Sequence, residues 1–166
     1  MPYPPEHLTI REAKVSEAPA IRRLALDVKI DAWSDAGYSD EMLRADSFVL
    51  TATANGHLLG FLVARIVPGN MADAPDADLY NIAVDPGAKR CGIGTMLLLA
   101  LFEELTERGV CNVWLEVRES NHEAISFYEH YGFTAEVTRP NFYVNPTENA
   151  VIMRFPITPK RGVSES

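Results

Sequence analysis

Residues 79–109 read LYNIAVDPGAKRCGIGTMLLLALFEELTERG, and the reading of this stretch decides the fold. Leu79 to Val84 is strand-like, and Asp85-Pro86-Gly87 closes it. From about Gly92 to Arg108, the apolar residues Ile93, Met96, Leu97, Ala100, Leu101 and Leu105 recur on one helical face, with Gly109 as the stop. Asn112 to Val117 is again strand-like. A strand, a long helix and a second strand form a β-α-β crossover.

Outward from this unit, the same alternation continues. Leu8 to Ala13 reads as a first strand, and Ser16 as the N-cap of a helix with Pro19 near its start and Ala20, Ile21, Leu24, Ala25 and Val28 at helical spacing. Trp33 to Ser39 reads as a loop, followed by a short helix over Asp40 to Ala45. Ser47 to Ala54 and His57 to Val67 are strands joined by Asn55-Gly56, a pair that tolerates positive φ at both turn positions. Pro68 to Asp78 reads as a polar loop. Asn121 caps a helix that runs to about Tyr131 and stops at Gly132. Phe133 to Thr138 and Ala150 to Pro156 are the last strands, with a polar and aromatic loop, Arg139 to Asn149, between them. The order β-α-(α)-β-β-β-α-β-α-β-β predicts one mixed sheet with helices on its faces. A single domain over residues 9–158 is expected, with a proline-rich arm at 1–8 and a polar tail at 159–166.

Composition removes several classes. The 166 residues carry 15 Lys+Arg against 23 Asp+Glu, a net charge of -8. That balance opposes non-specific binding to nucleic acid, which needs clustered cations. No apolar run of about 18 residues is present to span a membrane. The start, MPYPPEHLTI, lacks the basic and apolar regions of a signal peptide. Cys91 and Cys111 form neither a disulfide framework nor a metal motif. The expectation is a cytoplasmic protein with both thiols reduced, no metal, no membrane partner, and nothing that demands more than a monomer.

Three features carry chemistry. Lys89-Arg90-Cys91-Gly92-Ile93-Gly94-Thr95 follows a strand and opens a helix. Glycines there let a ligand approach the backbone, and the unpaired N–H groups of a first helical turn suit phosphate oxygens. A plain tight turn is the competing reading. A Walker loop, a dinucleotide GxGxxG and kinase motifs are all absent. Glu116 shares a strand face with Trp114, while Val113, Leu115 and Val117 take the other. A carboxylate in such a strand is paired, solvated or functional, and a partly desolvated one would serve as a base. Tyr128 lies on the stripe Ala124, Phe127, Tyr128, Tyr131, which reads as packing, although a phenol facing a cleft can donate a proton.

Taken together, YNIAVDP, KRCGIGTMLL, WLEVRESN, AISFYEHYGF and NFY…ENAVIM between Leu79 and Met153 resemble the GNAT superfamily of acetyl-CoA-dependent N-acetyltransferases. The likeness is greatest to its ribosomal-protein alanine N-acetyltransferase (RimI-like) branch. The resemblance implies the GNAT fold, an α/β (α+β) arrangement with a single mixed, mostly antiparallel central sheet flanked by helices. It implies that the backbone of Lys89, Arg90, Cys91, Gly92, Ile93, Gly94 and Thr95 holds the pyrophosphate of acetyl-CoA. Lys89 stands where Gln or Arg is usual, so charge is kept and the planar fork is not. Ile82, Ala83 and Val84 would pair with the pantetheine arm, and Asn121 and Tyr128 would contact the cofactor. Glu116 is implied as general base and Tyr128 as general acid.

The acceptor would lie against the loop between the first two helices and the last hairpin. These segments offer Trp33, Asp35 and Tyr38, then Arg139, Asn141, Phe142, Tyr143 and Glu148, with Asn81 on the strand between. An α-amine with pKa near 8 is about 10% neutral at pH 7, against roughly 0.04% for a lysine side chain, so a protein or peptide N-terminus is the easier acceptor. The resemblance implies direct transfer, which needs no cysteine nucleophile. The competing readings are a small-molecule amine acetyltransferase (polyamine, aminoglycoside or amino-acid derivative), a Lys Nε acetyltransferase, and a non-catalytic acetyl-CoA sensor.

Overall fold

The computed structural model describes residues 4–69 and 74–158. The whole of the expected tail, 159–166, and the first three residues of the expected arm lie outside that range. Seven strands hydrogen-bond in the order β1-β2-β3-β4-β5-β7-β6. They are β1 (Thr9–Glu12), β2 (Ser47–Ala54), β3 (His57–Val67), β4 (Asp76–Val84), β5 (Asn112–Arg118), β6 (Thr134–Tyr143) and β7 (Glu148–Pro156). The helices are α1 (Ala18–Asp27), α2 (Asp35–Met42), α3 (Ile93–Glu107) and α4 (His122–His130). The sheet is mixed and mostly antiparallel: β4 and β5 run parallel, as a helical crossover requires, while β1–β2, β2–β3, β5–β7 and β6–β7 run antiparallel.

Chain contacts group the described residues into two units. One lies within 1–65 and 80–104, the other within 66–79 and 105–166.

In the first unit, α1 packs Ala18, Ile21, Leu24 and Ala25 onto Val49, Phe61, Val63 and Ala83 of the sheet, with Tyr38 of α2 in the same cluster. Ala20, expected inward, is exposed. Ser16 is not the cap of α1: it sits in a 3-10 turn, Val15–Glu17, that precedes the helix. Asn55 (φ 51°) and Gly56 (φ 77°) make the expected hairpin turn. On α3 the expected Ile93, Leu97, Leu101 and Leu105 are buried and Leu98 joins them, whereas Met96 is 36% exposed. The core face is therefore largely the one expected, with Leu98 in place of Met96. Gly60 of β3 admits this helix: a Cβ there would lie 2.9 Å from the Ala83 carbonyl oxygen and 3.0 Å from Ile93 Cγ2.

Helix α2 departs most from expectation. It begins at Asp35, inside the expected loop, because the Ser34 Oγ accepts the Gly37 N–H at 2.9 Å and caps it.

In the second unit, β5 buries Val113, Leu115 and Val117 by strict alternation. Strand β4 starts at Asp76, three residues before the expected strand, because buried Asp76 accepts Nδ2–H of Asn112 at 3.1 Å and Nε1–H of Trp114 at 2.9 Å. The segment expected as a loop, Arg139 to Asn149, is mostly strand: β6 runs to Tyr143 and β7 starts at Glu148. Pro140 is tolerated there because β6 is an edge strand, paired on one side only.

Candidate active site

In the first unit, β4 leads into the glycine turn. Asp85 N–H donates to Leu59 O at 2.8 Å, and the Asp85 carboxylate takes the Gly87 N–H at 2.8 Å. Arg90 (φ 66°) and Gly92 (φ 79°) are both left-handed. That conformation redirects successive N–H groups, as anion-binding turns do. Around Gly92 nothing lies within 4 Å of where a Cβ would stand, so the turn is open to a ligand. Lys89, Arg90 and Gly92 are exposed, and Cys91, Gly94 and Thr95 are half-buried. Ile93 is 1% exposed, so it can offer only its backbone. The β4–β5 ladder covers three pairs and ends at Leu79↔Leu115. Ile82, Ala83 and Val84 lie beyond its end.

Trp33, Tyr38 and Asn81 come together in this unit. Trp33 N–H donates to Tyr38 Oη at 3.2 Å, and Tyr38 Oη–H donates to Asn81 Oδ1 at 3.1 Å. The Trp33 and Tyr38 rings stack at 5.3 Å and 16°. Tyr38, expected to line an acceptor groove, is buried at 0%, so its ring faces core and its hydroxyl positions its neighbours. Burial raises the Tyr38 pKa above the ordinary phenol value. Asp35 is exposed. Sequence reasoning missed Glu41, Arg65 and Tyr80, which pack beside this cluster. The cap at Ser34 was the available signal: a helix begun there puts Tyr38 and Glu41 on one face.

The second unit carries the remaining candidates. Glu116 is exposed, with Arg139 Nη1 3.4 Å from its Oε1. Tyr128 is buried at 8% exposure, edge-on to Phe133 at 5.4 Å and Phe127 at 5.5 Å. Burial, and next the neighbouring Tyr143, push its hydroxyl well above the ordinary phenol range. Asn121 caps α4, its Oδ1 accepting the Ala124 N–H at 3.1 Å. Tyr143 lies under the Arg118 guanidinium at 4.3 Å, and Arg118 Nη1 is 3.4 Å from Glu148 Oε2. The Ser120 N–H donates to Glu148 at 2.7 Å, and hydrogen bonding from Ser120, its side chain first and its backbone next, holds this carboxyl below its usual range. Asn149 joins the hairpin by donating to Glu119 at 2.9 Å and accepting the Asn141 N–H at 3.1 Å. Phe142 is 42% exposed. The histidines His57, His122 and His130 are exposed. Among the described residues, no three His, Cys, Asp or Glu side chains gather as a metal site, and no helix is long and apolar enough to cross a membrane.

An open, left-handed turn between a strand and a long helix, on a mixed sheet of this order, defines a class. The family model described as acetyltransferase (GNAT) family matches residues 18–133, and the chain belongs to that family of N-acetyltransferases. More particularly, the chain is 37% identical over 153 residues to the [Ribosomal protein bS18]-alanine N-acetyltransferase of Escherichia coli (strain K12), covering 90% of this chain and 98% of that one. The crystal structure of the ribosomal-protein-S18-alanine N-acetyltransferase from Escherichia coli superposes with a TM-score of 0.80 at 33% identity, covering 96% of this chain and 99% of that one. Arabidopsis thaliana Naa50, in complex with the bisubstrate analogue CoA-Ac-MVNAL, shares the fold at a TM-score of 0.77 and 20% identity, over 89% and 97% of the two chains.

Proposed function

We propose that this chain transfers an acetyl group from acetyl-CoA to the N-terminal α-amine of a protein or peptide. The observation that carries the reading is the likeness to the bS18-alanine acetyltransferase over almost the whole of both chains. A likeness confined to the glycine turn would support the donor alone. This one also includes the segments proposed here for the acceptor.

Acetyl-CoA, when bound, supplies an activated acetyl group. The backbone N–H groups from Arg90 to Thr95 would hold its pyrophosphate, with Lys89 and Arg90 adding charge. The backbone of Ile82, Ala83 and Val84 would pair with the pantetheine arm and polarise the thioester carbonyl. Asn121 would contact the cofactor near the start of α4.

Glu116 would take the proton that the acceptor ammonium must lose before it can attack. Its exposure supports that role, since the proton has water to leave through. Tyr128 would hold a proton for the departing thiolate. Burial pushes its hydroxyl pKa up, so the proton is held in the neutral range, which supports that role. Trp33, Asn81, Arg139 and Tyr143 would face the acceptor, with Tyr38 positioning the first two. A ribosomal protein N-terminus is the class of acceptor this reading favours.

The test uses acetyl-CoA, the purified protein and short peptides varied at residue one, some with blocked N-termini and internal lysines. Mass spectrometry then locates each acetyl group. Acetylation of free α-amines supports the reading. Tight acetyl-CoA binding with no peptide product overturns it and leaves small amines or a sensor role.

A further inference from the structure

Helix α2 fixes two consecutive residues of β4. Tyr38 and Glu41 lie three residues apart on one face of α2 and are buried, at 0% and 3% exposure. Tyr38 donates directly to Asn81. Glu41 accepts from Arg65 of β3 through both Nε, at 2.8 Å, and Nη2, and from the Ser47 hydroxyl at 2.7 Å. The guanidinium held this way lies 5.5 Å from the centre of the Tyr80 ring. Tyr80 and Asn81 are therefore both held from α2, the first through an ion pair and the second by a hydrogen bond.

A carboxylate buried on a helix is costly unless paired, and such a pair seldom stabilises a fold more than an apolar pair of the same volume would. What it adds is direction. Two-pronged pairing sets the plane of the guanidinium, and the guanidinium in turn sets the ring beneath it. Tyr80 gains from being set. It is 38% exposed, it rests against Trp33 at 5.6 Å, and it stands just before the Asn81–Val84 backbone.

We propose that Tyr80 is an aromatic contact for the incoming acceptor peptide, beside Trp33, and that Glu41 and Arg65 are positioning residues that hold it. The proposal rests on the N-terminal acetylation reading above. Tyr80 is the group that touches the acceptor, and the ion pair acts only through it.

The test takes the best wild-type peptide from the first-residue series. It measures kcat, the KM for peptide, the KM for acetyl-CoA and Tm for Arg65→Lys, Tyr80→Leu and Tyr80→Phe. Arg65→Lys keeps the charge and loses the fork. Loss of the fixed ring in Arg65→Lys or Tyr80→Leu is expected to raise the peptide KM by about fivefold or more, with the acetyl-CoA KM changed far less. Tyr80→Phe keeps the ring and is expected to recover most of the affinity lost in Tyr80→Leu. A lower Tm with an unchanged peptide KM would make the pair a fold tether only and overturn the proposal. A wild-type protein that acetylates no peptide N-terminus would overturn the functional reading, and this proposal with it. Peptide acetylation that is indifferent to all three changes overturns this proposal alone.

Discussion

Arg139 Nη1 stands 3.4 Å from Glu116 Oε1, and the two residues are separated by the intervening strand β7. Glu116 pairs with Ile152, and Arg139 with Ala150. Ile152 and Ala150 lie two apart on β7, so both charged side chains share a sheet face and reach toward each other over small or aliphatic neighbours. The pair is exposed and worth little to the fold, no more than about 0.5 kcal/mol.

That low structural value makes Glu116 a clean test. Glu116→Gln is expected to lower kcat by about 10²- to 10⁴-fold, the range for loss of a general base. Thermal unfolding should be nearly unchanged. An unimpaired kcat in a well-folded variant removes Glu116 from the mechanism.

Tyr128→Phe keeps the ring contacts with Phe127 and Phe133 and removes one hydroxyl. A fall in kcat of about 10²-fold or more, with the fold retained, is expected for a lost acid. Its raised pKa adds a second readout. A group whose native pKa exceeds its unfolded value of about 10 contributes stability below that value and loses it as the pH rises further. Denaturant midpoints should therefore fall in strong alkali for the wild type and fall less for Tyr128→Phe.

Glu41 behaves in the opposite sense. Burial pushes its pKa up, but hydrogen bonds from Arg65 and Ser47 outweigh this and hold the carboxyl below its usual range. The stability it contributes is present above the unfolded value of about 4.3 and is lost as the pH falls through the native one. Glu41→Gln is expected to cost about 2 kcal/mol near neutrality, less than a fully buried pair would lose because Arg65 remains partly solvated. The variant should also show a flatter acid limb in urea titrations at falling pH.

Two glycines separate conformation from close approach. Gly92→Ala meets no neighbour but must hold φ 79°, so about 1 kcal/mol of strain and a raised acetyl-CoA KM are expected. Gly60→Ala presses on the Ala83 carbonyl and Ile93, so the fold itself should weaken. Binding and melting measured together distinguish the two.

Most of the element order was legible from the chain. Asn55-Gly56, Gly109 and Gly132 mark turns by backbone preference, and alternation along β5 sorted Val113, Leu115 and Val117 from Trp114 and Glu116. These signals are local, so they survive without knowledge of the partner strands. The family was equally legible, because the glycine turn and the segments after it carry the resemblance in residue types at fixed spacing. Helix α2 was not. Gly37 reads as a breaker, and only the Ser34 cap and the packing of Tyr38 override it. Nor was the extent of the β6–β7 hairpin, since edge pairing admits a polar, proline-containing run that local preference assigns to a loop.

The crossover, the glycine turn before α3 and the residue types proposed here for acid–base chemistry were all local to the sequence. Tertiary structure decided their environments. It buried Tyr38, Glu41 and Tyr128, left Glu116 in solvent beside Arg139, and set Arg65 over Tyr80. Burial and long-range pairing depend on residues distant in the chain, so neither spacing nor periodicity can specify them.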